Sequence, residues 1–416
     1  MRGDTIVLVS FDFGRTDEFI VAGCVPRDDH ASGTLDVADS IRRAHPRAAA
    51  DDIYAAAVLG DHAEVARLLA ADAERATARG GPYGWDALTY LCFSRYLRLR
   101  PSAGFVSAAR ALLDDGADPN TGFFESAHRP EPVFESALYG AAGLAHHAEL
   151  TRLLLARGAD PNLGDVAYHA PEGFEPEAMQ AVVESGRLSD SGLTTMLHRK
   201  LDWTDLEGVR WLLEHGADPN ALSAWGDRAL HHSLARDNAL PLLEALLDFG
   251  ADPNLRAPRH EDRSAVAVAA RSGRADALEL FGSRGFATEL GGDDAFFAAL
   301  SCGDRRGTLE LVTNEPRIAE RLEASQPGIV ATLAGAGNTA ALELALDLGF
   351  PMSADALAGA VWRERSKAVR LLLDRGALVS ASEISLAERA LTEMSEWTPC
   401  HSRDILDALQ ARASEP

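Results

Sequence analysis

Ala111-Leu-Leu-Asp-Asp-Gly-Ala-Asp-Pro-Asn120 recurs with little change as Leu153–Asn162, Trp211–Asn220 and Ala245–Asn254. Weaker copies end at Gly285, Gly349 and Gly376. Gly216 to Gly250 is 34 residues and Gly250 to Gly285 is 35, a period that marks an array of helix pairs. Within each copy the apolar pair before the glycine, such as Leu212-Leu213, belongs on the buried face of an outgoing helix. The glycine ends that helix in the left-handed conformation. Asp-Pro-Asn then forms a turn, with proline fixing φ and Asp or Asn bonding nearby backbone.

Upstream of each copy lies a second short segment rich in small residues, among them Ala137–Ala142, Ala229–Leu234 and Ala265–Ala270. Small side chains let adjacent helix pairs stack closely. Gly-containing turns such as Gly60-Asp61-His62 and Gly273-Arg274-Ala275 join the two helices. The pattern predicts an N-terminal extension over residues 1–15, capping helices over 16–50, repeats over 51–380 and a C-terminal capping repeat over 381–416. Within it, helix pairs start near Asp52, Ala87, Ala137, Ala167, Leu193, Ala229, Ala265, Ala295, Ile329, Leu357 and Leu386.

These residues resemble the ankyrin repeat, including its β-turn and its Gly-Ala-Asp-Pro-Asn ending, from roughly Asp51 to Ala413. The implied fold is all-α: a solenoid of about eleven to twelve helix pairs with short β-turn fingers. His30-Ala-Ser-Gly-Thr-Leu35, the stretch Gly81–Tyr96 and Asn120-Thr-Gly-Phe-Phe124 are similar to a bacterial group of long ankyrin proteins with no established activity. Lysine occurs only at Lys200 and Lys367, a bias that also points to a GC-rich bacterial genome.

The net charge of −23, with a pI near 4.9, opposes phosphate backbones and anionic membrane surfaces, and favours a basic partner. No apolar run is long enough for a transmembrane helix, and Thr5–Phe11 is too short for a secretory signal. Cys24, Cys92, Cys302 and Cys400 show no paired spacing, which suits a reducing cytoplasm rather than disulfides or zinc.

Several motifs look chemical and read better as architecture. Gly335-Ala-Gly-Asn-Thr-Ala340 matches a dinucleotide fingerprint, but the residues before it form a helix rather than the strand that chemistry needs, so it is an interhelical turn. Val7–Thr16 contains Asp-x-Gly-x-Thr and Asp-Phe-Gly without either kinase family's other elements, and Arg2-Gly-Asp4 is a chance match. The adjacent pairs His146-His147 and His231-His232 point apart, which suits structural roles; the resemblance to ankyrin repeats implies that His231 bonds backbone between repeats. Cys92 and Cys302 fall in apolar helical stretches as packed thiols. No catalytic residue, metal or cofactor is assigned.

Departures from the repeat locate the expected functional surface. Phe93–Val106 lengthens one unit, Thr121–Glu135 lengthens the next finger, and the unit Val166–Gly186 lacks the usual ending. Aromatic residues gather there. Tyr83, Trp85, Phe123, Phe124, His128, Tyr139, Tyr168, His169, Trp203 and Trp225 are the predicted partner-binding residues, since Trp and Tyr anchors dominate interfaces. The expected function is a monomeric, non-enzymatic protein–protein interaction module whose groove and fingers clasp a protein. The alternative is small-molecule binding or catalysis in a pocket built by the insertions, with Tyr168, His169, Glu125, His128 and Glu131 supplying acid and base groups.

Overall fold

In a computed structural model the chain is described over residues 14–25, 33–46, 50–125, 131–393 and 402–414. It divides into two compact units, Met1–Asp218 and Pro219–Pro416. Each is mostly helical. Strands among the described residues form two antiparallel hairpins, Gly122–Glu125 with Val133–Ser136 and Arg256–Ala257 with Arg263–Ser264. Arg2-Gly-Asp4 and most of Val7–Thr16 lie outside the described residues, as do His128 and Cys400.

The first unit starts with Arg15–Gly23 and Asp36–Ala44 and continues with the pair Ile53–Leu59 and His62–Ala71. In that pair Ala55, Ala56 and Ala57 are buried, as close stacking requires, and the Asp61 side chain accepts from Glu64 N to cap the second helix. Ala87–Cys92 and Ala103–Asp114 form the next pair, with the short helix Arg95–Leu99 inserted between them where Phe93–Val106 breaks the repeat. Three further pairs follow, built on Ala137–Tyr139 with Ala148–Ala156, Val166–His169 with Glu177–Glu184, and Asp190–Asp202 with Leu206–Glu214.

The second unit pairs Ala229–Ala235 with Leu240–Asp248, Ala265–Arg271 with Ala275–Ser283, and Gly292–Ser301 with Arg305–Asn314. An additional helix, Ile318–Ser325, replaces the turn expected after the last of these. Ile329–Ala336 and Thr339–Asp347 then flank the Gly335–Ala340 motif, an interhelical turn as read from the sequence. Ala354–Trp362, Ser366–Asp374, Ala381–Glu393 and Ser402–Ala413 complete the unit.

The recurring decapeptide acts as a stitch. Gly216 sits at φ 95°, and Ala217 N donates back to Leu212 O at 3.0 Å, closing the helix. Asp118 and Asp252 each accept from the amide two residues on, at 2.9 Å, folding the turn on itself. Asparagine carries the turn to the next repeat: Asn120 Oδ1 accepts from Asp160 N at 2.7 Å, and Asn162 Oδ1 from Ser189 N at 2.8 Å. In the second unit Asn220 does the same with Asp252 N and donates to Gly250 O, both at 2.8 Å.

His231 bonds backbone across repeats: its Nε2 lies 2.9 Å from Arg263 O, and because a carbonyl only accepts, Nε2 carries the proton. Nδ1 is then bare and buried, and burial pushes the imidazole down to about 4. The unfolded ring, near 6.5, takes a proton that the folded ring refuses. Stability present above pH 6.5 is therefore lost as pH falls towards 4. Between pH 7 and 4.5 the wild type should lose about 2 kcal/mol more than His231→Gln, discounting for screening, with urea midpoints as the measurement. Equal losses in the two proteins would refute the assignment.

Candidate interaction surface

The aromatic residues predicted as partner contacts separate into two sets. Trp85, Phe123 and Tyr139 are buried, which corrects their assignment to the surface. Phe123 stacks on Trp85 with ring centroids 4.3 Å apart and meets the edge of Phe93 at 4.9 Å. Trp85 also packs against Tyr83 at 4.6 Å and Tyr90 at 5.1 Å, and Tyr139 lies edge-on to Phe93 at 6.0 Å. The physical reason is volume. The lengthened finger lies against the helix pair before it, and rings rather than alanines fill the space beneath the hairpin.

Polar bonds tie the finger to that core. Tyr90 Oη donates to Gly80 O at 3.0 Å and accepts from Tyr83 N at 2.9 Å. Buried Asp86 accepts from Thr89 N at 2.9 Å and Thr89 Oγ1 at 3.0 Å, and Thr121 Oγ1 donates to its other oxygen. The strands then run in register Phe123↔Glu135 and Phe124↔Phe134. At Gly122 a Cβ would lie 2.1 Å from Glu135 O, so only glycine lets the strands approach. Side chains alternate across a strand, so fixing Phe123 inward turns Phe124 outward. Phe124 is 63% exposed and packs on Phe134 at 5.2 Å.

Glu125 and Glu135 lie buried beneath this finger. Burial, with Asp165 and Glu125 nearby, pushes the Glu135 carboxyl up to about 8. Glu125 is thus withdrawn from the surface, and of the other acid and base groups of the small-molecule reading His128 lies outside the described residues. Glu131 is exposed, and Tyr168 and His169 are half-buried.

Tyr168 and His169 belong to a second cluster. His169 Nδ1 lies 3.1 Å from Glu172, and Arg199 binds Glu172 at 2.6 Å and Asp202 at 2.5 Å. The Arg199 guanidinium sits 4.1 Å above the Tyr168 ring. Its neighbour Lys200 is wholly buried, and Nζ donates to Gly173 O at 2.9 Å and Asp205 at 2.7 Å. The irregular unit Val166–Gly186, with no standard ending of its own, is thus held by two cations from the helix that follows. Half-buried Trp203 meets exposed Phe174 edge-on at 6.0 Å, making a second aromatic projection. Sequence reading missed Phe174 and Arg199; an exposed Phe in a Gly-Phe-Glu-Pro loop was the available signal.

Trp225 belongs to the second unit. It is 42% exposed in a turn where Gly226 N donates to Ser223 O at 2.9 Å. Cys92 is buried and its thiol is pushed up by burial, whereas Cys302, expected in a packed stretch, follows a helix end and is exposed. Among the described residues no His, Cys, Asp and Glu group is arranged to hold a metal ion, and no helix is long and apolar enough to cross a membrane.

The family model described as ankyrin repeats, in three copies, matches residues 197–288. Cyclin-dependent kinase 4 inhibitor B of Mus musculus is 41% identical over 93 residues, 22% of this chain and 66% of that protein. The Homo sapiens and Rattus norvegicus proteins of that name are 40% and 38% identical, over 63% and 69% of their own lengths and 23% of this chain in each case. The chain therefore spans about two thirds of the curated relatives it matches. The crystal structure of the human ASB11 ankyrin repeat domain aligns at 22% identity with a TM-score of 0.41, covering 52% of this chain and 90% of that one. With the period, the stitched turns and a relative of which more than two thirds is matched, the chain belongs to the ankyrin-repeat proteins.

Proposed function

We propose that this protein is a non-enzymatic interaction module whose first unit holds its partner through the finger at Phe124 and the projection at Phe174. The observation that carries the reading is the fixed outward placement of Phe124 on a hairpin whose other face is locked into the aromatic core. A rigid aromatic on an ordered element loses little freedom on binding, which favours affinity. Cyclin-dependent kinase 4 inhibitor B is named for an action on another protein, which agrees with a binding role. The net charge of −23 favours a basic partner through faster encounter. Free thiols at Cys24, Cys92 and Cys302 suit a reducing, cytoplasmic setting.

Capture from a lysate of the source cells, with wild type and Phe124→Ser in parallel, tests this. A protein held by wild type should bind Phe124→Ser at least about tenfold more weakly in a direct titration, as loss of a hot spot implies. Thermal unfolding should change little, because the ring is exposed. Equal affinity for both forms would remove Phe124 from the site. A metabolite co-eluting without any protein would overturn the module reading.

A further inference from the structure

We propose that the second unit carries an anion-binding cleft for a phosphate group, built from arginines at the turns between paired helices. The cleft encloses about 540 Å³ and is lined by Asp237, Ala239, Arg274, Asp276, Asn338 and Arg365 among others. Arg365 Nη2 binds the Asp237 carboxylate at 2.5 Å, Arg363 Nη1 reaches it at 3.2 Å and Arg274 Nη1 at 3.4 Å. Arg274 is also paired with Asp276, at 2.8 and 2.9 Å. Three guanidinium groups thus face two carboxylates, a local cationic excess in a chain of net charge −23.

The cationic excess is a built feature rather than a loose surface pair. The Arg274 side chain is only 7% exposed and lines the cleft, while 45% of Arg363 stays open to solvent. Oriented guanidinium groups carry several N–H donors in a rigid fork suited to phosphate oxygens.

The helices of the same unit supply an internal comparison. Asp304 and Asn338 cap their second helices by accepting from Gly307 N and Ala341 N. At the matching position of Leu240–Asp248, Ala275–Ser283 and Ser366–Asp374 stand Ala239, Arg274 and Arg365, none of which accepts a cap bond. All three line this cleft. Arginine at a helix N-terminus opposes the helix dipole, the reverse of the usual preference for an acid. A bound oxyanion would offset both the arginines set against these helix dipoles and the arginine surplus.

This inference does not depend on the partner surface of the first unit. The full-length protein is titrated calorimetrically with inorganic phosphate, and with sodium chloride at matched ionic strength. Phosphate should bind saturably and chloride should not. Arg363→Ala, which removes an exposed side chain, should weaken phosphate at least about fivefold, while Arg306→Ala on the outer surface leaves it unchanged; circular dichroism checks the fold of each. Asp237→Asn removes the competing carboxylate, so it should unfold at a lower temperature in chloride and recover in phosphate. Glycerol phosphate distinguishes the source: tighter binding than phosphate points to a phosphorylated metabolite and equal binding to the free ion, and either upholds the cleft. No saturable phosphate binding, or equal effects of the two arginine variants, would show that the arginines only tie the repeats together.

Discussion

Trp85→Ala should lower the unfolding free energy of this protein by about 3–5 kcal/mol, in the upper range for truncating a buried aromatic. The ring contacts Phe123 at 4.3 Å, Tyr83 at 4.6 Å, Tyr90 at 5.1 Å and Phe93 at 5.8 Å, so its removal opens space that four further rings border. Those neighbours are held by bonds that resist collapse into the gap, above all Tyr90 to Gly80 and Thr121 to Asp86. The loss should therefore sit above that of an ordinary leucine truncation. Denaturation in urea measures it, and Trp85→Phe should recover most of it. If Trp85→Ala cost under about 1 kcal/mol, the finger would have to hold its place by backbone pairing alone, and the rigid presentation of Phe124 would lose its basis.

Lys200→Ala is expected to cost about 3–5 kcal/mol, as when one partner of a buried ion pair is removed. Asp205 then keeps its charge without its cation, although it still accepts from Gly208 N at 2.9 Å to cap Leu206–Glu214. Gly173 O loses its donor, and the lysine stem leaves a gap: a Cβ at Gly208 would lie 2.8 Å from Lys200 Cδ, which shows how closely the stem packs there. Lys200→Met combined with Asp205→Asn should recover about half the loss, since it restores volume and removes the uncompensated charge. Failure of the double variant to improve on Lys200→Ala would mean that the bond to Gly173 O, rather than the ion pair, holds the loop.

The repeat itself was legible because its parts are local. A helix end, a left-handed glycine and a self-bonded Asp turn all lie within ten residues, and Ala111–Asn120 states them in order. The inserted helix Arg95–Leu99 was visible only as extra length, and Ile318–Ser325 was missed because it replaces a turn instead of lengthening one. Pro316 with Ile318 and Leu322 four residues apart was the trace it left. Site residues were harder. Phe123 and Phe124 are identical neighbours in sequence, yet strand alternation buries one and exposes the other, and nothing local says which. Deciding that requires knowing that Trp85 and Phe93 lie below the hairpin, contacts that span 38 and 30 residues of sequence. The arginine cleft is less legible still, because Asp237 and Arg365 meet across 128 residues.

The asparagine stitch has a consequence for how such a chain can change. Asn120, Asn162 and Asn220 each address main-chain atoms of the following repeat, an amide nitrogen and a carbonyl oxygen. Every residue type except proline offers the same two atoms at those places. A repeat can therefore be duplicated, deleted or exchanged for a divergent one without rewriting its neighbour's joint. The irregular Val166–Gly186 unit shows the tolerance at work: it has lost its own ending, yet Asn162 still finds Arg187 O at 3.0 Å and Ser189 N at 2.8 Å. Inheritance through such a joint leaves the remaining surface of each repeat free to diversify, so neighbouring repeats can come to recognise different things while the joint between them stays the same.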